Sequence, residues 1–309
     1  MPRNRILIVP TWPGWSYDNT ANAIMKHLGH DYEFDKIFDD PEEGYEANFN
    51  HEDYDAIYCL WWNNVLPQKF RIPSDKLIVG VYSFWSWQRY LPMSAEDLHK
   101  NYLTNYNAVA ANCPGLYEIF SNLHPSVFLT PDGVDSQFFV PRPNHRAGDK
   151  NLVVGWSGSV SLQKGNKGFE DYIVPAVEGL EGVTLKAAIR EVQNFPYQEM
   201  PDFYNDIDVY ICASLTDGTP NPVLEATSCG KALLSTWVGV VPMLLKDGVN
   251  GLVIKRDITD IREKICFLRD NRDLCRQMGR VNREIIEREW DWSKRVLAFK
   301  EVFDYVLSG

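Results

Sequence analysis

The sequence predicts an α/β protein made of two Rossmann-like domains, each built on a parallel sheet. Short apolar runs alternate with helical patterns along the chain, and this order is typical of βαβ units. The run 78–82 is apolar throughout, as expected for a strand that is covered on both faces. A polar segment rich in Pro and Gly at 141–148 interrupts the alternation, so the 309 residues divide into two domains of ordinary size.

The same patterns locate the individual elements. In the first half, strands are expected at 5–11, 32–38, 56–61, 77–82, 108–112 and 127–130, and a helix at 19–28. In the second half, strands are expected at 152–156, 183–189 and 209–212, and helices at 169–180, 201–206, 222–229, 240–245, 259–269 and 272–289. The domains are therefore predicted as 1–140 plus about 290–309, and 141–289.

Net charge is distributed unevenly between these halves. Residues 1–140 contain 9 Lys and Arg against 18 Asp and Glu, whereas the remaining residues contain 22 against 24. An acidic domain repels phosphate backbones and anionic lipid surfaces. Nucleic acid and anionic membranes are therefore unlikely partners on charge grounds.

Cysteine usage and hydropathy indicate a cytoplasmic protein. The six cysteines are scattered without a CxxC pair, which predicts free thiols rather than a disulfide framework or a zinc site. No stretch reaches 18 apolar residues, so neither a signal peptide nor a transmembrane segment is expected. No Asp-x-Asp pattern stands out as a metal site, and the prediction is that no metal is bound.

The segment 213–226 is the most informative part of the chain. The apolar strand 209–212 leads into a Gly/Pro turn and then a helix, and Asp217 and Glu225 have seven residues between them. Backbone N–H groups of Thr219, Asn221 and Val223 are expected to be free at the positive helix end, which suits a phosphate. Carboxylates accept hydrogen bonds from diols. The combination predicts a site for a nucleotide sugar.

The motif resembles the Glu-x7-Glu motif of the retaining, GT-B-fold glycosyltransferases of family four, the group 1 glycosyl transferases, with Asp217 in place of the first Glu. Segments similar to that family's also occur in order around it. They are 131–135 (PDGVD), 197–204 (YQEMPDFY), 229–236 (CGKALLST), 246–253 (KDGVNGLV) and 290–293 (WDWS). The ordered set is specific, whereas one Asp-x7-Glu would carry little weight. The resemblance implies two domains facing across a cleft, with a C-terminal helix that crosses back to the first.

The resemblance also implies roles for the motif residues. Glu225 would bind the donor ribose and Asp217 the donor sugar, as the group closest to the chemistry. Four further residues would shape the phosphate and sugar loop, mostly through backbone atoms: Gly218, Asn221, Pro222 and Val223. The alternatives are a first-turn Glu that complements the helix dipole and a turn Asp before Gly.

The donor diphosphate needs cations, because negative charge accumulates on the leaving group. The loop after strand 152–156 includes Gly158 and Ser159, and Lys164 and Lys167 follow. Members of the family typically carry Arg after the loop Gly and Lys before a later Gly. Lys167-Gly168 matches the second position, Ser159 stands where the Arg would be, and Lys164 would compensate. A solvated loop charge is the alternative for either lysine.

In the first domain, Gly14 follows the first strand, where the family has a Gly-rich loop that faces the donor phosphates. A simple tight turn is the alternative. Trp15, Trp85 and Trp87 lie near strand ends and are candidate platforms for the acceptor, although core packing explains aromatic residues equally well. The family often has a His after the strand 77–82, but none is present here. Only seven residues separate 183–189 from Tyr197, where the family fits another strand, which leaves the nucleotide base open.

The resemblance implies a metal-independent, retaining transfer of a sugar from a nucleoside diphosphate sugar to a hydroxyl of a polar acceptor. The nucleotide sugar is a co-substrate, and no other cofactor is expected. The leading alternative is a protein of the same fold that binds a nucleotide sugar or glycan without transferring it. A sugar-nucleotide epimerase and a nucleic-acid glucosyltransferase are less favoured, the first by the motif order and the second by the acidic first domain.

Overall fold

The computed structural model describes residues 3–39, 50–142, 150–162, 165–193 and 195–309. Lys164 and most of the predicted linker 141–148 lie outside the described residues. The chain forms two compact units. The first comprises Met1–Asp132 and Trp292–Gly309, and the second comprises Gly133–Asp291. The sequence prediction divided the chain at 140/141 and 289/290.

Every strand of the two sheets pairs in parallel with its neighbours. The strands are β1 (Arg5–Val9), β2 (Glu33–Lys36), β3 (Ala56–Cys59), β4 (Leu77–Val81), β5 (Ala108–Ala111), β6 (Val127–Leu129), β7 (Leu152–Gly158), β8 (Val183–Ile189), β9 (Val209–Cys212), β10 (Ala232–Ser235) and β11 (Gly251–Val253). In the first unit the strand order is β2-β1-β3-β4-β5-β6, and in the second it is β11-β10-β9-β7-β8. The predicted alternation of strands and helices therefore produces two doubly wound sheets.

Helices α1 to α9 alternate with the strands in sequence, and α10 to α12 follow the last strand. They are α1 (Ser16–Leu28), α2 (Leu66–Lys69), α3 (Ala95–Leu98), α4 (Pro114–Ser121), α5 (Val174–Val177), α6 (Arg190–Gln193), α7 (Met200–Asn205), α8 (Asn221–Ser228), α9 (Val241–Leu244), α10 (Ile258–Asp270), α11 (Arg272–Ile285) and α12 (Trp292–Ser308). Wider π-helical turns at His99–Leu103, Phe169–Ile173 and Ile286–Trp290 extend α3, precede α5 and follow α11. No helix of the described residues is both long and apolar enough to cross a membrane.

The C-terminal helix α12 returns to the first unit, as the sequence predicted. It buries residues at helical spacing against that unit's sheet: Trp292, Val296, Phe299, Val302, Phe303 and Val306. The ring of Tyr58 in β3 meets Phe303 edge to face at 6.0 Å between centroids. This apolar stripe fixes the helix on the first unit, since burial of a large side chain contributes about 2 kcal/mol.

The second sheet ends at β8. Between β8 and α7 the described chain forms α6 and a 3-10 turn at Tyr197–Glu199, so no further strand covers the outer edge of β8 there. The short interval in the sequence thus corresponds to a five-stranded sheet. Strand β7 pairs with β8 along its whole length and with β9 on its other side. This order brings the carboxyl ends of β7, β8 and β9 to one sheet edge.

Candidate functional site

Two loops of the second unit bring the predicted motif residues together. One loop follows β7 and includes the described residues 159–162 and 165–168, and the other, 213–220, follows β9 and leads into α8. Because β7 and β9 are parallel neighbours, both loops leave the same edge of the sheet. Lys167 belongs to the first loop and Asp217 to the second, and tertiary structure joins them.

Lys167 and Asp217 form an ion pair, with 2.7 Å between Nζ and Oδ2. Their side chains are 29% and 15% exposed, so the pair is largely withdrawn from water. Burial lowers the pKa of Lys167, but the charge of Asp217 and its hydrogen bond raise it by more, so the pKa lies above its ordinary value. The lysine is therefore an ammonium at neutral pH, and Asp217 holds it in place.

A small polar network holds the two loops against each other. The amide side chain of Asn166 donates to the carbonyl of Thr216 at 3.0 Å and accepts from the Thr216 amide at 3.1 Å. The guanidinium of Arg256 donates to the carbonyls of Asn166, Ala213 and Gly165 at 2.6, 2.7 and 2.6 Å. Charge-assisted bonds to carbonyls on both loops fix their separation. The motif comparison gave no signal for either residue.

Gly239 allows a third loop to approach the same place. A Cβ at this position would lie 1.6 Å from the carbonyl oxygen of Gly218, and the residue has φ of +52°. The Val240 amide donates to that carbonyl at 3.0 Å. Only glycine satisfies both the left-handed backbone and the close approach. The conformation of the Asp217–Gly218 turn therefore depends on Gly239.

Glu225 occupies a different environment on α8. The hydroxyl of Tyr204 in α7 donates to Glu225 Oε2 at 2.6 Å. Burial raises the pKa of Glu225 to about 7, and the tyrosine hydrogen bond opposes that rise. The side chain is partly buried in the fifth residue of α8, so it differs from the solvent-exposed first-turn Glu of the alternative interpretation.

The start of α8 differs in part from the prediction. The Val223 amide donates to the carbonyl of Pro220 at 2.8 Å, so the expectation that this N–H group is free is wrong. Pro222 has no N–H group, and the Gly218 amide donates to Asp217 Oδ1 at 3.0 Å. Asn221 Oδ1 is buried without a hydrogen-bond partner among the described residues. The amides of Gly218 and Val223 are therefore satisfied within the segment that leads into α8.

The loop after Gly158 holds a carboxylate that the sequence did not indicate. Glu191, in α6 directly after β8, accepts hydrogen bonds from the hydroxyls of Ser159 and Ser161, and from the Val160 amide at 3.2 Å. The two hydroxyls lower the pKa of Glu191 to about 2. At Gly158 a Cβ would lie 3.1 Å from the ring of Trp156. Where the family carries an arginine, this loop therefore binds an acidic side chain.

A shallow, open depression lies within this loop, between its beginning at Ser159 and Lys167. It is lined by Ser159, Val160, Gly165, Lys167, Gly168, Phe169, Glu170 and Asp171. Phe169 forms one wall and stacks on Trp156 with 4.2 Å between the ring centroids. The lining therefore contains one ammonium group, that of Lys167, and two carboxylates, those of Glu170 and Asp171.

The residues of the first unit that the sequence predicted for the site differ in their surroundings. Gly14 has φ of +73°, and its amide donates to Asp18 Oδ2 at 2.8 Å, which is the geometry of a tight turn. Trp15 is partly buried beside Trp12, with 5.2 Å between ring centroids. Trp85 is also partly buried.

Trp87 lies in the core of the first unit. It is 3% exposed, and its ring meets Phe120 edge to face at 6.0 Å. Core packing, the alternative that the sequence left open, thus describes Trp87. Across the described parts of both units, no group of three or more His, Cys, Asp or Glu side chains is placed to hold a metal ion.

One protein-family model matches part of the second unit. Residues 178–285 match the model of the family described as Glycosyl transferases group 1, which the motifs resemble. An uncharacterized glycosyltransferase of Methanocaldococcus jannaschii is 27% identical over 109 residues, which cover 35% of this chain and 31% of that protein. The matched region thus spans less than a third of that relative's length.

Solved structures extend the likeness to nearly the whole chain. Sucrose-phosphate synthase from Thermosynechococcus elongatus has a TM-score of 0.79 at 14% identity, covering 99% of this chain and 100% of that chain. Anabaena HepE, solved in complex with UDP and glucose, has a TM-score of 0.74 at 14% identity, covering 98% and 100%. The GT-B fold that the sequence predicted is therefore confirmed.

Proposed function

We propose that this chain is a retaining glycosyltransferase that moves a sugar from a nucleoside diphosphate sugar to a hydroxyl of a polar acceptor, without a metal ion. One observation carries the proposal. The Lys167–Asp217 ion pair, at 2.7 Å, joins the loops that follow β7 and β9, and the carboxylate of Glu225 lies in α8, which follows the second of these loops. In an open α/β sheet, ligands bind outside the carboxyl ends of the strands.

Each part of a nucleotide sugar has a matching group. The Glu225 carboxylate accepts hydrogen bonds from the ribose diol. The Lys167 ammonium stabilises the charge that develops on the leaving diphosphate, since electrostatic stabilisation of developing charge is a large term in catalysis. Asp217 orients that ammonium and accepts hydrogen bonds from the hydroxyls of the sugar. The residues position and stabilise, and the departing phosphate takes the acceptor proton on the same face of the sugar.

The second unit would bind the donor and the first the acceptor. The family match to residues 178–285 and the UDP and glucose bound by HepE support this assignment, and they favour a UDP-sugar as the first donor to test. The acidic first half favours a neutral or basic acceptor over a polyanion. All six cysteines are free thiols, which supports a reducing compartment such as the cytoplasm.

Turnover of candidate donors tests the proposal. A thermal-shift panel of UDP, GDP, ADP and their sugars identifies the ligand, because a ligand that binds the folded state raises its apparent stability. Hydrolysis and transfer are then measured for wild type, Glu225→Ala and the exposed control Glu284→Ala. We expect Glu225→Ala to lose at least about tenfold in kcat/KM, which corresponds to about 1.4 kcal/mol. Glu284→Ala is expected to match wild type.

Three further measurements test the retaining mechanism, the metal independence and the catalytic activity separately. The anomeric configuration of the product, read by NMR, is expected to equal that of the donor, and inversion contradicts a retaining mechanism. The rate is expected to be unchanged by EDTA, and its loss contradicts metal independence. Binding of a nucleotide sugar without turnover in any acceptor panel favours the non-catalytic alternative. The Ser159–Glu191 contact favours that alternative, because a carboxylate occupies a loop expected to meet phosphates.

A further inference from the structure

A chain of hydroxyl groups leads from Glu225 into the interior of the second unit. Tyr204 donates to Glu225 Oε2 at 2.6 Å, and its hydroxyl lies 3.1 Å from Ser157 Oγ. Ser157 Oγ lies 3.2 Å from the hydroxyl of Tyr210, which donates to the Ser157 carbonyl at 3.2 Å. Tyr204, Tyr210 and Ser157 are 0%, 3% and 9% exposed. The chain joins α8, α7, β7 and β9.

The position of the Tyr204 hydroxyl is fixed by packing. The ring contacts Phe139 edge to face at 5.9 Å and Tyr210 at 5.9 Å between centroids. Ser157, in β7, donates its hydroxyl to the oxygen of the same Tyr204 hydroxyl. A buried ring held on two sides has no alternative rotamer of comparable energy, so its hydroxyl has a fixed direction. That direction is toward Glu225 Oε2.

We infer that Tyr204 is a positioning residue that keeps Glu225 ionised and oriented, with one carboxylate oxygen held by the tyrosine and the other left for the nucleoside diol. The inference rests on the proposed function, in which Glu225 binds that diol. A hydrogen bond donated to the charged form of an acid favours that form. A protonated Glu225 would carry a donor of its own and lose acceptor capacity for the two ribose hydroxyls.

Among the described groups around Glu225, only Tyr204 lowers the pKa of this carboxyl group. Tyr197, Tyr204, Tyr210 and Cys229 interact electrostatically with Glu225. Burial raises the pKa of each of them above its ordinary value, so all four are neutral at working pH. None of them therefore changes charge in the range where Glu225 titrates.

Charged groups on the neighbouring helical segments act elsewhere. Arg283 of α11 donates to the Ser228 carbonyl at 2.9 Å, at the far end of α8. It also pairs with Glu287 at 2.7 Å, and Glu289 pairs with Arg288 at 2.6 Å. Burial and the Tyr204 hydroxyl are the two influences that set the pKa of Glu225, which stands at about 7.

The sign of the pH dependence follows from these two influences. Ligand binding requires ionised Glu225, so affinity falls as pH drops below about 7. Removing the Tyr204 hydroxyl removes the influence that lowers the pKa, so the midpoint of the affinity profile moves to higher pH. A shift of about one pH unit lowers affinity about tenfold at a fixed pH well below the midpoint. Above both midpoints the two proteins bind alike.

The test is a set of Kd profiles for UDP, GDP or ADP, whichever wild type binds, measured by calorimetry between pH 5.5 and pH 9. Wild type, Tyr204→Phe and the matched variant Tyr210→Phe are compared. Tyr210→Phe removes an equally buried hydroxyl that does not touch Glu225, so its loss of thermal stability measures the structural cost alone. The diphosphate's own titration is common to all proteins and cancels in the difference between midpoints.

We expect the Tyr204→Phe midpoint to lie about one unit above that of wild type, with affinity recovered at pH 9, and the Tyr210→Phe midpoint to move less. Affinity that is lowered equally at every pH shows a structural role and overturns the inference. If Tyr204→Phe does not fold, Ser157→Ala replaces it: loss of the Ser157 hydroxyl beside Tyr204 weakens the bond that Tyr204 donates to Glu225, so the midpoint is expected to move upward by less than one unit, and affinity lowered equally at every pH again overturns the inference. If wild type binds no nucleoside diphosphate, the proposed function fails instead.

Discussion

The two acidic residues of the site, with seven residues between them, lie in opposite kinds of environment. Asp217 faces the ammonium of Lys167 in an ion pair between two loops. Glu225 faces the neutral hydroxyl of Tyr204, and burial raises its pKa to about 7. The difference shows that the spacing in sequence sets the positions of the two carboxylates, whereas the groups around each carboxylate set its charge. One end of the site is held by charge and the other by burial and a hydroxyl.

The largest expected effect comes from breaking the backbone that supports the Asp217 end. Gly239→Ala would place a Cβ 1.6 Å from the Gly218 carbonyl oxygen, at a left-handed φ. The turn must move, and we expect a loss of about 4 kcal/mol in the free energy of unfolding, measured by urea denaturation.

Gly248→Ala is the matched control for that variant. Gly248 also has a left-handed φ, of +76°, but a Cβ there meets no atom within 4 Å. It isolates the backbone strain, which we expect to cost about 1 kcal/mol. Equal losses for the two variants would contradict the close approach at Gly218.

The next effect separates the two partners of the ion pair. Lys167→Met leaves Asp217, 15% exposed, as a largely buried charge without its cation, and we expect a loss of about 3 kcal/mol. Asp217→Asn leaves the more exposed lysine, which reaches water, and is expected to cost less. The double variant should recover part of the loss, because neither charge then remains unpaired.

Lys186 and Asp206 provide a surface pair for comparison. Their separation is also 2.7 Å, but their side chains are 36% and 37% exposed. Lys186→Met is expected to cost less than about 1 kcal/mol, as exposed pairs do. A Lys167→Met loss no larger than this one would show that the Asp217 end behaves as an ordinary solvated pair.

The smallest effect concerns pH and the Glu225 end. The folded pKa of Glu225, about 7, lies above the ordinary value of 4.5, so the unfolded chain ionises first. Stability therefore falls as pH rises from about 4.5 to about 7 through the contribution of this residue. Glu225→Gln is expected to flatten the slope in that window, measured as Tm against pH. Asp132, buried in the first unit with a pKa raised to about 7, supplies a second contribution that Asp132→Asn removes.

Glu191 provides the opposite sign within the same unit. Its folded pKa, about 2, lies below the ordinary value of 4.5, so its contribution is present above pH 4.5 and is lost as pH falls toward 2. Glu191→Gln is expected to change the slope only below pH 4.5 and Glu225→Gln only above it. If the two substitutions changed the slope of Tm against pH with the same sign, the environments assigned to Glu191 and Glu225 would be contradicted.

Much of the fold could be predicted from local patterns. The apolar runs located β1 to β9 but gave no strand prediction for β10 and β11, and the short interval before Tyr197 corresponds to the sheet that ends at β8. The motif around Asp217 and Glu225 and the Lys-Gly pair at 167–168 are also local signals. Strand order itself is a consequence of parallel crossovers, which the alternation of elements constrains strongly.

The rest of the site depends on contacts between segments far apart in sequence. Arg256 reaches the carbonyl of Gly165, and Glu191 reaches Ser159, only because the strands before them are neighbours. Sequence could not separate a core tryptophan from a ligand platform, because both need the same apolar ring, and Trp87 proved to be in the core.

By itself, the sequence determined that the chain forms two parallel α/β units and that two carboxylates and a lysine lie at strand ends. These are local properties, since hydrophobic periodicity and turn residues act over a few positions. Tertiary structure alone decided that Asp217 meets a cation and Glu225 a tyrosine. The physical reason is that desolvation and hydrogen bonding, which set charge, depend on which atoms surround a carboxylate in space.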